Sequence, residues 1–414
     1  MTEKHEHEFM IESGILEKLR PRINKVVSLI KQAIDAKRPI WIRHHSDTDG
    51  YCAAVALERA ILPLIYDRHT RERDQFYHYA RLPSKTPYYD YADATKDVCN
   101  FMNRVTKFES KEPMIIICDT GSSEQDILAI KKAKIYGAKI IVIDHHPACK
   151  ETESLVEAFV NPHLVGSTYD FSAGMVCAEI GNMLNPKVHG MEFIAAVAGI
   201  GDKVTSKEID AYLELCRKKE IGTGLIRDTA ECLDFEGFML GFTEGRDIAN
   251  DLLGGDQERQ KKLLEVIKPE IEKIKIQQLE TNKKYMQLKE HGKIIIGKID
   301  VSKVRSYGNF PAAGKTTGIL QNYLAEKYEG IGVEEHHKKH PITLGISEDQ
   351  VNFRCSKQIN DFDVNELLAL LKKELPHAQI DGGGHKRAGS ISFVEAAKEE
   401  VIELVDKYLM KIKA

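Results

Sequence analysis

Three short runs of apolar residues, Ile40-Trp41-Ile42, Met114-Ile115-Ile116-Ile117 and Ile140-Ile141-Val142-Ile143, each lead within a few residues into an acidic or histidine-bearing segment. Runs this short and uniformly apolar suit strands buried on both faces, as in a parallel sheet covered by helices. Between the last two, Glu124 to Tyr136 has helical spacing, which gives strand, helix, strand. Ahead of them Ile15, Leu19, Ile23, Val26, Val27, Ile30 and Ile34 predict an amphipathic helix over about Ile15 to Ala36, with Pro21 near its start. The expected class is α/β with a parallel sheet, in which ligands bind beyond the carboxyl ends of the strands.

Those ends carry His45-x-Asp47-x-Asp49-Gly50, Cys118-Asp119-Thr120-Gly121 and Asp144-His145-His146-Pro147, and a later apolar run closes on Gly199-Ile200-Gly201-Asp202. Asp47 and Asp49, read as two apart on an extended segment, would repel each other and the remaining carboxylates unless cations neutralised them. Oxygen and imidazole ligands without a thiolate suit Mn²⁺ best, Mg²⁺ as the alternative, and Zn²⁺ less. So many ligands point to two ions, and two ions about 3.5–4 Å apart are suited to phosphoester hydrolysis.

The 414 residues exceed one small core and suit two domains, expected as residues 1–255, a connecting helix over 256–290, and 291–414. Leu263, Leu264, Ile267, Ile271, Ile274, Leu279 and Met286 form the apolar stripe of the connecting helix, with Pro269 as a kink or restart. Beyond it, Lys293 to Val301, Pro341 to Ile346 and Gln350 to Ser356 read as strands and Val364 to Lys373 as a helix. The glycine cluster Asp381-Gly382-Gly383-Gly384-His385 then reads as a turn or anion-binding loop. With 59 Lys+Arg against 63 Asp+Glu, any surface for a polyanion must be a local patch. One such patch is Phe76 to Tyr91, where Tyr77, Tyr79, Tyr88, Tyr89 and Tyr91 interleave with Arg71, Arg73, Arg81 and Lys85 nearby; the residues suit base stacking or the packing of an insertion equally.

Eight scattered cysteines with no C-x-x-C pair suit reduced thiols in a cytoplasmic protein, and no apolar stretch approaches the roughly 20 residues of a membrane span. The first eight residues lack the order of a signal peptide. Gly314-Lys315-Thr316 imitates the end of a phosphate loop, but Asn309 stands where that motif needs glycine.

The four acidic segments, in this order, resemble the motifs of the DHH phosphoesterase superfamily, whose name is matched by Asp144-His145-His146. The glycine cluster resembles the family's associated carboxy-terminal domain, and with the connecting helix it looks most like RecJ-type exonucleases, particularly the shorter archaeal-type members. The resemblance covers roughly residues 38 to 205 and 292 to 395. It implies that His45 and Asp47 hold one metal, that Asp119 bridges both, and that Asp49, His145 and Asp202 hold the second. Asp144 would orient a ligand histidine and His146 would contact the scissile phosphate. Many relatives place the first histidine four residues before the first aspartate, where this chain has Arg43; His45 is the substitute and His44 its competitor. Arg354, Ser356, Gly382, Gly383, Gly384 and His385 are the expected phosphate-binding residues of the second domain.

The activity implied is a Mn²⁺- or Mg²⁺-dependent exonuclease degrading single-stranded DNA or RNA to mononucleotides. The alternatives are a phosphodiesterase of short oligonucleotides or cyclic dinucleotides, and a scaffold of the same fold in a replication complex. Replication or repair proteins are the partners such a role implies, with no membrane.

Overall fold

The computed structural model describes residues 8–68, 77–84, 86–108, 110–240, 246–304 and 310–413, with only the backbone of Phe108, Arg246 and His385. The chain divides into two compact units, Met1–Lys268 and Pro269–Ala414.

The first unit opens with helix α1 (Gly14–Asp35), whose N-terminus is capped by the Ser13 hydroxyl accepting from Ile15 N–H at 3.2 Å. Its buried stripe, Leu16, Leu19, Ile23, Val26, Val27, Ile30 and Ile34, follows helical spacing. Strand β1 (Ile40–His45) leads into α2 (Thr48–Arg68); β2 (Tyr79–Ser84) and α3 (Tyr91–Phe108) follow, then β3 (Met114–Cys118), α4 (Ile127–Ile135), β4 (Lys139–Ile143), α5 (Lys150–Leu155) and β5 (Ala158–Val160). The five strands are all parallel, in the order β2-β1-β3-β4-β5. Isoleucine-rich β3 and β4 are buried on both faces because helices cover both, and β-branched side chains favour the pleated conformation. On one face Trp41, Ile115, Ile117, Ile140 and Val142 pack with Val98, Phe101 and Ile130 of α3 and α4. The order reverses between β1 and β3, so the crevice beyond their carboxyl ends is the topological switch point where ligands bind in such sheets.

The unit continues as helices α6 (Ala173–Leu184), α7 (Met191–Gly201), α8 (Lys207–Lys218), α9 (Thr223–Met239) and α10 (Arg246–Leu252). Helix α6 packs on both α2 and α7. Its buried Glu179 accepts from Met10 N–H at 2.9 Å and from the Tyr212 hydroxyl at 2.6 Å. Burial lifts this carboxyl from the ordinary 4.5 to about 7, so the folded chain binds a proton that the unfolded chain has released between those values. Stability is therefore lost as pH rises through that window, by up to about 3 kcal/mol at about 1.4 kcal/mol per unit. Glu179→Gln is expected to flatten the fall in melting temperature between pH 5 and pH 8; a variant whose melting temperature falls as steeply as the parent's contradicts this account.

Helix α11 (Gln257–Tyr285) accommodates Pro269 within its length and contains the unit boundary. The helix predicted to run on to residue 290 stops earlier, because Gln287–His291 forms strand β6, paired antiparallel with β7 (Ile294–Asp300). A helical turn (Val301–Val304), α12 (Ala313–Glu329), β8 (His340–Ile346), β9 (Gln350–Cys355), α13 (Val364–Glu374), β10 (Asp381–His385), β11 (Ala388–Ser392) and α14 (Lys398–Leu409) complete the second unit. Its sheet runs β10-β11-β9-β8-β7-β6, with only β7 and β8 parallel. Ile294, Ile342, Leu344, Val351 and Phe353 form a core with Val364, Leu367, Leu371, Val401 and Val405 of α13 and α14.

Candidate metal centre

The first acidic segment turns from strand into helix, in place of the extended segment expected. Asp47 precedes α2 and accepts the Gly50 N–H on Oδ1 at 3.0 Å, capping the helix, while Asp49 lies in its first turn. The turn from strand to helix is so tight that a Cβ on Gly50 would stand 2.1 Å from the His45 carbonyl oxygen, which is why glycine closes the motif.

His45 ends β1 with Nδ1 3.0 Å from Asp47 Oδ2 and 3.5 Å from Asp119 Oδ2. His44 is fully buried elsewhere: its Nδ1 meets the His45 carbonyl at 2.7 Å and its ring stands edge-on to Tyr51. Burial, with Arg81 and Arg43 nearby, depresses its pKa to about 3. The structure thus brings His45, and not His44, to the carboxylates. Arg43 is committed to a buried network: it pairs with Asp97, lies 3.7 Å from Asp93 and donates to the Pro83 carbonyl at 3.0 Å.

Asp119 follows β3 with φ +57°, a left-handed conformation uncommon outside glycine and tolerated best by Asp and Asn. Its Oδ1 is 3.3 Å from His145 Nε2, and its buried Oδ2 accepts no hydrogen bond among the described residues. After β4, His145 Nε2 lies 3.9 Å from Asp49 Oδ2 and its Nδ1 3.6 Å from Asp202 Oδ2, at the end of α7. The structure therefore gathers His45, Asp47, Asp49, Asp119, His145 and Asp202 at one place. Two overlapping donor groups, His45/Asp47/Asp119 and Asp119/Asp144/His145/His146, each have ligand atoms within 4.8 Å of one another, and Asp119 belongs to both.

Asp144 has the opposite character. Oδ1 accepts from the His145 N–H at 2.7 Å and meets His146 Nδ1 at 2.8 Å, and Oδ2 accepts the Ser122 N–H at 3.1 Å. Burial opposes its ionisation, but His146, its hydrogen bond and His145 outweigh that and hold the carboxyl below its usual range. The ring it orients is His146; its contact with His145 is to the backbone. With Nδ1 engaged, half-exposed His146 has Nε2 left for another partner. Asn161, absent from the sequence reading, steadies this loop by donating to Ser122 Oγ and to the His146 carbonyl, both at 2.9 Å. Its only local sign is the Asn-Pro-His that follows β5.

Both Asp49 oxygens accept helix-terminal amides, Oδ2 from Ala173 and Oδ1 from Gly174, each at 2.9 Å. Even so, burial and then Asp119 push its pKa well up, with Asp202 and Asp47 adding to the effect. Asp202 is lifted to about 6 by burial and the charge of Asp119, against the pull of His145. A buried set of mutually repelling carboxylates, with imidazoles aimed among them, fits divalent cations.

In the second unit Arg354 donates from Nη1 to the Phe353 carbonyl at 2.7 Å and has no carboxylate partner among the described residues. Burial lowers its pKa. The Ser356 hydroxyl is already bonded to Glu329. Gly382, Gly383 and Gly384 form a strand, correcting the expected loop: φ of 131–144° is neither the αR nor the αL geometry of an anion nest, and all three pair with β11. Cβ atoms at Gly382 and Gly384 would stand 2.2 and 2.6 Å from the Ser390 and Ala388 carbonyl oxygens. The register sets Arg354, Ala388 and His385 in one row across three strands; the His385 side chain lies outside the described residues.

The tyrosine segment is divided between packing and exposure. Tyr79, Tyr89 and Arg81 are buried, and the Tyr89 hydroxyl donates to Asp97 at 3.1 Å. Tyr77 and Tyr91 are exposed, with Lys132 3.8 Å above the Tyr91 ring. Arg71, Arg73, Phe76 and Lys85 lie outside the described residues, as does Asn309. Gly314 and Lys315 open α12, where no phosphate-loop motif exists.

The family model for the N-terminal domain of the DHH family matches residues 39–200, the span that carries the first three acidic segments and the first two residues of the fourth, with Asp202 just beyond it. The solved DHH domain of a member of the S1p family of ribosomal proteins is 34% identical, covers 98% of this chain and 94% of its own, and superposes with a TM-score of 0.92. This chain belongs to the DHH family. A curated relative, an uncharacterized protein of Methanocaldococcus jannaschii, is 36% identical over 95% of this chain, which spans 54% of that protein's length. The fold is RecJ-like: a RecJ exonuclease structure bound to manganese aligns over 94% of both chains with a TM-score of 0.54 at 16% identity. No described helix of this DHH protein is long and apolar enough to cross a membrane, and all eight cysteines are free.

Proposed function

We propose that this chain is a divalent-metal-dependent phosphodiesterase acting as an exonuclease on single-stranded DNA or RNA and releasing mononucleotides. The observation that carries the reading is the pair of donor groups sharing buried Asp119 at the switch point of the sheet. His45, Asp47 and Asp119 would hold one Mn²⁺; in the second group Asp144 and His146 are engaged with each other, so Asp119 and His145, joined by their neighbours Asp49 and Asp202, would hold a second, with Mg²⁺ as the alternative ion. The Asp49 oxygens keep a lone pair each after accepting the α6 amides. When bound, the ions supply charge neutralisation and polarisation of the phosphoryl group.

The remaining roles belong to the chain's own groups. Asp144 fixes the His146 ring through Nδ1 and its charge favours the imidazolium, whose Nε2 can donate to a non-bridging phosphate oxygen. Arg354, partly buried and with no carboxylate partner among the described residues, offers a planar fork for another phosphate. That a RecJ exonuclease binds manganese on the same fold supports the choice of ion and of substrate class.

Digestion of end-labelled single-stranded DNA and RNA 20-mers, with Mn²⁺, Mg²⁺ or chelator, tests the reading. Metal-dependent release of mononucleotides is expected. Cleavage of dinucleotides with the 20-mers left intact would replace it by the short-substrate alternative, and absence of any metal-dependent hydrolysis would leave the scaffold role.

A further inference from the structure

The connection between α12 and β8 carries a second cluster of metal-type ligands on the surface of the second unit. Glu334 Oε2 lies 3.3 Å from His336 Nε2 and 3.7 Å from His337 Nδ1, and one donor atom from each residue lies within 4.8 Å of the others. Four-coordinate zinc with bonds of about 2.0–2.1 Å places its ligand atoms about 3.3 Å apart, close to this spacing. The two imidazoles lie side by side, centroids 4.0 Å apart, on the single 3₁₀ turn Glu335–His337.

Neighbouring charges single out Glu334. Glu335 is paired with Lys338 at 2.6 Å, Glu290 with Lys339, and Glu329 with His340 at 2.6 Å. Glu334 instead faces two histidines. The feet of the connection are tied by Glu329, which binds both His340 at the start of β8 and Ser356 beyond β9, while the three ligands stand at its exposed tip.

We propose that Glu334, His336 and His337 form a surface site for one Zn²⁺-class cation, separate from the centre built on Asp119. Two imidazoles and one carboxylate suit Zn²⁺ over the hard cations Mg²⁺ and Ca²⁺. Because the three side chains are exposed, water can complete the tetrahedron and little desolvation opposes binding. An ion here would cross-link a turn of four residues at the tip of the connection.

The test is equilibrium dialysis of the full chain against Zn²⁺, followed by metal analysis, for the parent, the double variant His336→Ala with His337→Ala, and Asp119→Asn. The double variant is expected to hold one Zn²⁺ per chain fewer than the parent, with its circular dichroism spectrum unchanged. In Asp119→Asn, adding the two histidine substitutions is expected to remove one further Zn²⁺. Equal Zn²⁺ content with and without His336 and His337, in both backgrounds, overturns the site without touching the Asp119 centre.

Discussion

Asp119→Asn is expected to lower metal-dependent hydrolysis by on the order of 10³-fold or more while leaving the chain folded, since a lost ion removes several kcal/mol of transition-state stabilisation. Asn is the informative replacement. At φ +57° it is accommodated about as well as Asp, whereas Ala adds a backbone cost of roughly 1–2 kcal/mol that would mix stability with chemistry. One substitution reaches both donor groups because Asp119 is the residue they share. Initial rates with Mn²⁺, alongside a melting curve, decide the matter. A variant within tenfold of the parent rate would place the chemistry elsewhere.

The second large effect is on stability. Without cations the centre buries Asp49, Asp119 and Asp144 in a close group, with Asp202 beside them, and the high pKa of Asp49 expresses burial and their repulsion. Mn²⁺ at about 100 times its dissociation constant should stabilise the fold by about 2.7 kcal/mol per site, which for a unit of this size is a rise of roughly 5–10 °C in melting temperature. In Asp119→Asn the rise should vanish, and the metal-free variant should melt no lower than the metal-free parent because one repelling charge is gone. An equal Mn²⁺ shift in both proteins would show that the ions bind away from Asp119.

Much of this was legible in the sequence because burial on two faces writes itself as unbroken apolar runs. Strands β1, β3 and β4 and the position of the acidic segments could be read directly. Helix α1 was equally clear, since one apolar stripe decides it. Strand β2 was not: Tyr79-Ala80-Arg81-Leu82-Pro83-Ser84 contains a buried arginine whose neighbour Glu58 lies 3.7 Å away on α2, a long-range pairing that no local pattern reports. Three-residue β5 is too short for any periodicity. The triple glycine was misread because glycine signals unusual φ without saying whether a turn or a tightly approached strand uses it. At the centre, the identity of the acidic residues was visible but their division of labour was not. The saturation of Asp144 by amides and His146, and the direction of His44 away from the carboxylates, depend on contacts made only after folding.

The two amides that hold Asp49 come from residues 124 and 125 positions further along the chain, and Asp202 arrives later still. A ribosome that has synthesised the first three acidic segments has therefore not yet produced the parts that fix their geometry. On the proposed ligand set, tight metal capture would be a late event in biogenesis, open only after the helices beyond the sheet have docked. Ion uptake by a growing chain would then serve as a timer, reporting when the first unit has closed.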